Sequence, residues 1–135
     1  MQDPDFFSRL STGQSPRHLW IGCCDSRVPA EMLTGTRPGD LLVHRNIANM
    51  MLHDDTNCLF LPQFAVETLE VKHIVVTGHY DCGGVKTALI DGVFGNLGNW
   101  LYHLEDIYQQ HKAQFDLLID EKERISLLCE LNVAH

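Results

Sequence analysis

The sequence predicts an α/β fold, a parallel β-sheet core flanked by helices. Three apolar runs of strand length carry this prediction, His18 to Cys23, Leu41 to Arg45 and His73 to Gly78, and residues with helical spacing lie between and after them. Strands that alternate with helices pair in parallel, because the intervening helix carries the chain back to the same end of the sheet. A second observation agrees: the first and third runs each empty into a chemistry-bearing cluster, Cys23-Cys24-Asp25-Ser26-Arg27 and His79-Tyr80-Asp81-Cys82-Gly83-Gly84. Open α/β sheets gather functional groups at the carboxyl ends of neighbouring strands.

Taken in order, Asp3 to Leu10 reads as a short amphipathic helix with Phe6, Phe7 and Leu10 on one face, and Ser11 to Pro16 as a polar link. After the first strand, Pro29 to Leu33 is a helical turn, with proline near its start and Gly35 beyond its end. Arg37 to Asp40 turns the chain into the second strand, and Asn46 to Asp55 is loop or irregular helix.

Between Asn57 and Glu70, Leu61, Phe64, Ala65 and Leu69 recur at helical spacing, with Asn57 a candidate cap. Pro62 lacks the donor that would bond Cys58, which puts the start of the regular helix at Leu61 or Pro62. After the third strand a helix opens at Gly83-Gly84. Asn96 to Lys112 carries Trp100, Leu101, Leu104, Ile107 and Tyr108 on one core-facing side. The last helix starts near Asp120, with Glu123 at capping-box spacing, and carries Ile125, Leu128 and Leu131.

At 135 residues the chain makes one domain, residues 1–135, able to bury roughly two-thirds of its unfolded surface. A formal charge of −8, with ten scattered basic residues, disfavours nucleic acid and anionic membranes as partners. No apolar stretch is long enough to span a bilayer, and the first residues lack a basic n-region and an apolar h-region. Five cysteines without a disulfide-like framework fit a reducing compartment, so a cytoplasmic location is expected.

The two clusters offer two thiols, an imidazole and a carboxylate, the ligand set of a tetrahedral zinc site. The long separation of Cys23 from His79 argues against a zinc finger, and a fold must bring the clusters together. Two thiolates cancel the formal charge of the metal, which predicts activation at more alkaline pH than at an imidazole-ligated zinc. Cys24, Cys58 and Cys129 read as small buried thiols, and His44, His53, His73, His103 and His111 as surface or core histidines. Gly83-Gly84 at a helix start could cradle phosphate, but the pattern is no dinucleotide fingerprint and Asp81 would repel an anion.

Three ordered motifs resemble the β-class carbonic anhydrases, of bacterial type: Trp20 to Pro29, Pro38 to Asn49 and Gly78 to Val85, with weaker likeness through Asn99 to Leu101 and Leu128 to Val133. The resemblance implies one zinc ion per chain on Cys23, His79 and Cys82, and reversible hydration of carbon dioxide to bicarbonate by zinc-bound hydroxide. Beside the metal it implies a catalytic dyad of Asp25 and Arg27. Asp25 is a switch: on the metal it fills the fourth position, and paired with Arg27 it leaves that position open.

By the same resemblance Gln14 and the backbone of Gly84 line the substrate pocket, and Trp20 and Arg45 belong to a second, inhibitory bicarbonate pocket. A homodimer or homotetramer is implied. The family begins with a longer helical arm that embraces the partner subunit and continues with a further strand and terminal helices, so the chain is expected to be shortened at both ends and the flank of the third strand open. Asp81 stands where glycine is common and adds negative charge between two ligands. A catalytically silent, truncated zinc-binding or oligomerising protein of the same fold is the alternative function.

Overall fold

The computed structural model describes residues 4–90 and 93–135. Met1, Gln2 and Asp3, where the first helix was expected to begin, lie outside the described residues. The elements run α1 (Phe6–Leu10), β1 (His18–Cys23), α2 (Ala30–Thr34), β2 (Leu41–Asn46), α3 (Thr56–Gln63), β3 (His73–Thr77), α4 (Gly83–Ala88), α5 (Gly95–Gln110), α6 (Lys112–Phe115) and α7 (Glu121–Ala134). The three strands are parallel and ordered β2-β1-β3. The edge strand β3 leaves Ile74, Val75 and Val76 exposed.

The chain divides into two compact units, and each strand contributes to both: residues 18–21, 41–44 and 73–75 to the first, and the carboxyl ends to the second. In the first unit, Leu19, Ile21 and Ala65 form a core against which Leu42, Met51, Leu61 and Val71 pack. The amide of Arg17 donates to the Asp40 carbonyl at 3.2 Å, and that of Lys72 to the Arg17 carbonyl at 2.8 Å, setting the strand starts side by side.

Helix α3 departs from the sequence expectation. It begins at Thr56, because the Asp55 carboxylate accepts from the Asn57 amide at 2.8 Å and caps it; neither Asn57 nor Leu61 starts it. Pro62 lies inside, costing the one bond to Cys58, and the helix runs on into a wider π turn over Phe64–Thr68.

The second unit carries the carboxyl ends of the strands and the helices α4 to α7. Val85, Leu101, Leu104, Ile107, Phe115, Ile125 and Leu128 are buried where α4, α5 and α7 pack together. Arg124 of α7 donates to the Phe115 carbonyl at 3.3 Å and to the Tyr108 hydroxyl at 3.2 Å, closing the α5–α6 corner. Asp120 caps α7 by accepting from the Glu123 amide at 2.9 Å, as its spacing predicted.

A turn at Ile47–Asn49 follows β2, with Ala48 and Asn49 in the left-handed region at φ 63° and 48°. The Asn46 side chain clamps it, giving a bond of 2.7 Å to the Met50 carbonyl and accepting one of 2.8 Å from the Met50 amide. Trp100 Nε1 donates to the Ile47 carbonyl at 2.9 Å and Asn132 Nδ2 to the Ala48 carbonyl at 2.7 Å, tying α5 and α7 to this turn. No described helix is long and apolar enough to cross a membrane.

Candidate metal centre

Strand β1 ends at Cys23, and the loop after β3 supplies His79 and Cys82. One donor atom from each, all within 4.8 Å of one another, forms a cluster that excludes Asp25. Both cysteines are buried, and their sulfurs lie 3.8 Å apart. Tetrahedral zinc with Zn–S bonds of about 2.3 Å holds two thiolates about 3.8 Å apart, so the sulfur spacing fits that ion.

The imidazole adds a second observation. His79 Nδ1 lies 3.0 Å from the Tyr80 carbonyl, a contact that makes Nδ1 the protonated nitrogen and frees Nε2 to accept or ligate. Nε2 is buried and has no hydrogen-bond partner. Burial, with the Cys23 sulfur beside it, pushes the Cys82 thiol up to about 11. Two crowded thiols and an unpartnered ring nitrogen together suit a divalent cation, which favours the thiolates that burial opposes.

Asp25 lies beside this cluster, with Oδ2 3.8 Å from His79 Nε2. Its carboxylate is gripped by Arg27: Nε donates to Oδ1 at 2.9 Å, Nη2 to Oδ2 at 2.7 Å, and the Arg27 amide to Oδ1 at 2.9 Å. These hydrogen bonds hold the Asp25 carboxyl well below the usual carboxylate range. The loop backbone is fixed by Arg45 of β2, whose Nε and Nη2 donate to the carbonyls of Cys23 and Asp25 at 2.9 and 2.6 Å. Arg45 therefore props the loop, a role that its place in a strand pattern did not reveal.

The remaining expected site residues are distributed as follows. Gly84 is the second residue of α4, and a Cβ there would come within 2.7 Å of Ile47 Cγ2 and 3.2 Å of Ala48 Cβ, so the close approach of the turn after β2 requires glycine. Gln14 is exposed in the first unit, before β1, and Trp20 is buried within β1 in that same unit. Cys24 is exposed, against the expectation of a buried thiol, because it lies past the last residue of β1, in the loop, where the cover that buries both faces of the strand has ended. Cys58 and Cys129 are buried.

Asp81, expected to add negative charge between His79 and Cys82, pairs with Lys86 of α4, and its Oδ2 lies 3.5 Å from Arg27 Nη1, so that charge has cationic partners. Sequence reasoning missed Lys86, which no motif singles out, and Glu130, whose Oε1 accepts from the Tyr80 hydroxyl at 2.8 Å and anchors the ligand loop to α7.

A family model described as carbonic anhydrase matches residues 18–135. A carbonic anhydrase of Emericella nidulans is 48% identical over 131 residues, which make up 97% of this chain and 58% of that protein. One of Candida albicans is 42% identical over 129 residues, 94% of this chain and 46% of that protein. The chain thus spans about half the length of these curated relatives. Among solved structures, a β-carbonic anhydrase described as tetrameric from Sordaria macrospora superposes with a TM-score of 0.90 at 46% identity, covering 97% of this chain and 67% of that one. A β-carbonic anhydrase of Aspergillus fumigatus gives a TM-score of 0.89 at 43% identity, covering 96% and 62%.

Proposed function

The chain belongs to the β-carbonic anhydrase family, and from that premise we propose that it catalyses the reversible hydration of carbon dioxide to bicarbonate and a proton, with one zinc ion held by Cys23, His79 and Cys82. The observation that carries this reading is the convergence of two buried sulfurs, 3.8 Å apart, with the unpartnered Nε2 of His79. When bound, zinc supplies Lewis-acid activation of water.

The chain's own groups supply orientation and proton handling. Asp25, held ionised by Arg27, offers the Oδ2 edge nearest His79 as a hydrogen-bond acceptor for the attacking water. Arg27 fixes the plane of that carboxylate through its fork, and Arg45 fixes the backbone beneath it. The contact between His79 Nδ1 and the Tyr80 carbonyl selects the tautomer that presents Nε2 as a ligand. A homodimeric or homotetrameric state is proposed too, in keeping with the tetrameric relative; light scattering in solution reads it.

Stopped-flow measurement of carbon dioxide hydration, on protein of known zinc content from neutral to alkaline pH, tests the reading. A rate that scales with bound zinc supports it. A full zinc complement with no rate above buffer at any pH overturns it in favour of a silent zinc-binding protein.

A further inference from the structure

Asp81 occupies an uncomfortable place. It sits between His79 and Cys82 at φ 57°, in the left-handed region where glycine is most at ease and aspartate is tolerated at a cost. What the side chain does there is visible on all three of its acceptors. One carboxylate oxygen takes the Lys86 ammonium, and the other lies 3.5 Å from Arg27 Nη1. The backbone carbonyl accepts from Arg27 Nη2 at 3.2 Å, while the same Nη2 donates to Asp25 Oδ2 at 2.7 Å.

Arg27 is therefore held on two edges. Asp25 takes the Nε and Nη2 side, and Asp81 takes the Nη1 and Nη2 side, so the guanidinium bridges the loop after β1 and the loop after β3. We infer that Asp81 is a positioning residue: by holding the outer edge of Arg27 it fixes the guanidinium plane, and through it the direction in which the Asp25 carboxylate faces the cluster of Cys23, His79 and Cys82. Lys86 takes the other carboxylate oxygen and leaves Oδ2 to Arg27, so Lys86 is not itself part of the hold on the guanidinium.

The size of the effect follows from exposure. The side chains of Arg27 and Asp81 are 59% and 57% exposed, and ion pairs of this kind add little to stability. Their consequence is expected in the order of one guanidinium, not in the melting temperature. This inference rests on the proposed zinc site for its meaning, but its first readout needs no activity.

The test compares Asp81→Gly, Asp81→Asn and Lys86→Met with the unaltered chain. The primary readout is hydrogen exchange of the Arg27 Nε–H, assigned in proton–nitrogen spectra through its loss in Arg27→Lys. Glycine relieves the positive φ, so Asp81→Gly should keep or raise thermal stability while Arg27 Nε–H exchange speeds up several-fold. Asp81→Asn, which restores a side-chain oxygen acceptor while the backbone carbonyl is present in both variants, should recover part of the protection. Lys86→Met leaves Asp81 free to bind Arg27 and should keep the protection, whereas a general response to lost loop charge would change both positions alike.

In zinc-loaded protein, Asp81→Gly should lower kcat a few-fold with KM unchanged. Unaltered Arg27 exchange in both Asp81 variants overturns the inference. So does faster exchange that is matched by a loss of stability, which would make Asp81 merely structural. If exchange responds as expected and the chain hydrates no carbon dioxide, the positioning stands and the proposed function falls.

Discussion

Arg27 grips Asp25 with two parallel hydrogen bonds, Nε to Oδ1 at 2.9 Å and Nη2 to Oδ2 at 2.7 Å. Only a planar guanidinium makes this fork, since an ammonium is a point donor on a flexible stem. Arg27→Lys should therefore keep the charge and lose the orientation. We expect kcat to fall by about 10²-fold with zinc content unchanged, since a misplaced catalytic group costs about that much. A lysine variant with unaltered kcat would show that charge alone suffices.

Cys82 tests the metal reading. Its side chain is buried beside Cys23, and zinc that binds only the folded chain stabilises it by about 2.7 kcal/mol when the metal is at a hundredfold its Kd. Zinc should raise the melting temperature of the unaltered chain and a chelator should lower it. Cys82→Ala should lose both responses, read by thermal denaturation alongside metal analysis. A zinc response that survives in this variant would place the ion elsewhere.

Gly84 tests the packing under the site. An added Cβ would meet Ile47 Cγ2 at 2.7 Å and Ala48 Cβ at 3.2 Å, and Ala48 is held in a turn whose carbonyl is tied to Asn132. The turn has little room to give, so Gly84→Ala should destabilise by about 1–3 kcal/mol. Urea denaturation measures this, and a loss below a few tenths would mean that the turn relaxes freely.

Asp55 sets one part of the acid response. The Asn57 amide, donating to its carboxylate, holds the Asp55 carboxyl below its ordinary value. A folded-state pKa that lies low means the stabilisation is complete above the ordinary aspartate pKa of about 3.9 and is lost as pH falls through the folded value. Asp55→Asn caps without titrating, so its stability should vary less with pH below about pH 4 than that of the unaltered chain. Equal slopes of urea midpoint against pH would remove Asp55 from the acid response.

Much of the architecture was legible because strand and loop carry different chemistry. His18–Cys23 is a strand as read, β2 and β3 differ by one residue at an end, and the cap at Asp120 sits where its spacing put it. Helix α3 was misread because Pro62 is a strong local signal, and the cap from Asp55 and the packing of Leu61 and Ala65 outweighed its single lost bond. Cys24 was misplaced because β1 is buried on both faces up to Cys23, and the apolar run does not mark the residue at which that cover stops.

Residue order alone establishes which donors exist and that separate loops must bring them together. Cys23, His79 and Cys82 stand at or near the ends of apolar runs, and no short-range geometry brings Cys23 to the other two. The partner that each charge takes emerges with the folded chain. Asp25 turns to Arg27, Asp81 is shared between Arg27 and Lys86, Arg45 holds two loop carbonyls, and Tyr80 reaches Glu130. The physical reason is that a side chain's direction follows from its local φ and rotamer, whereas its partner follows from which elements the core places within about 3 Å of it. Residue spacing encodes the first in part, and long-range packing alone supplies the second.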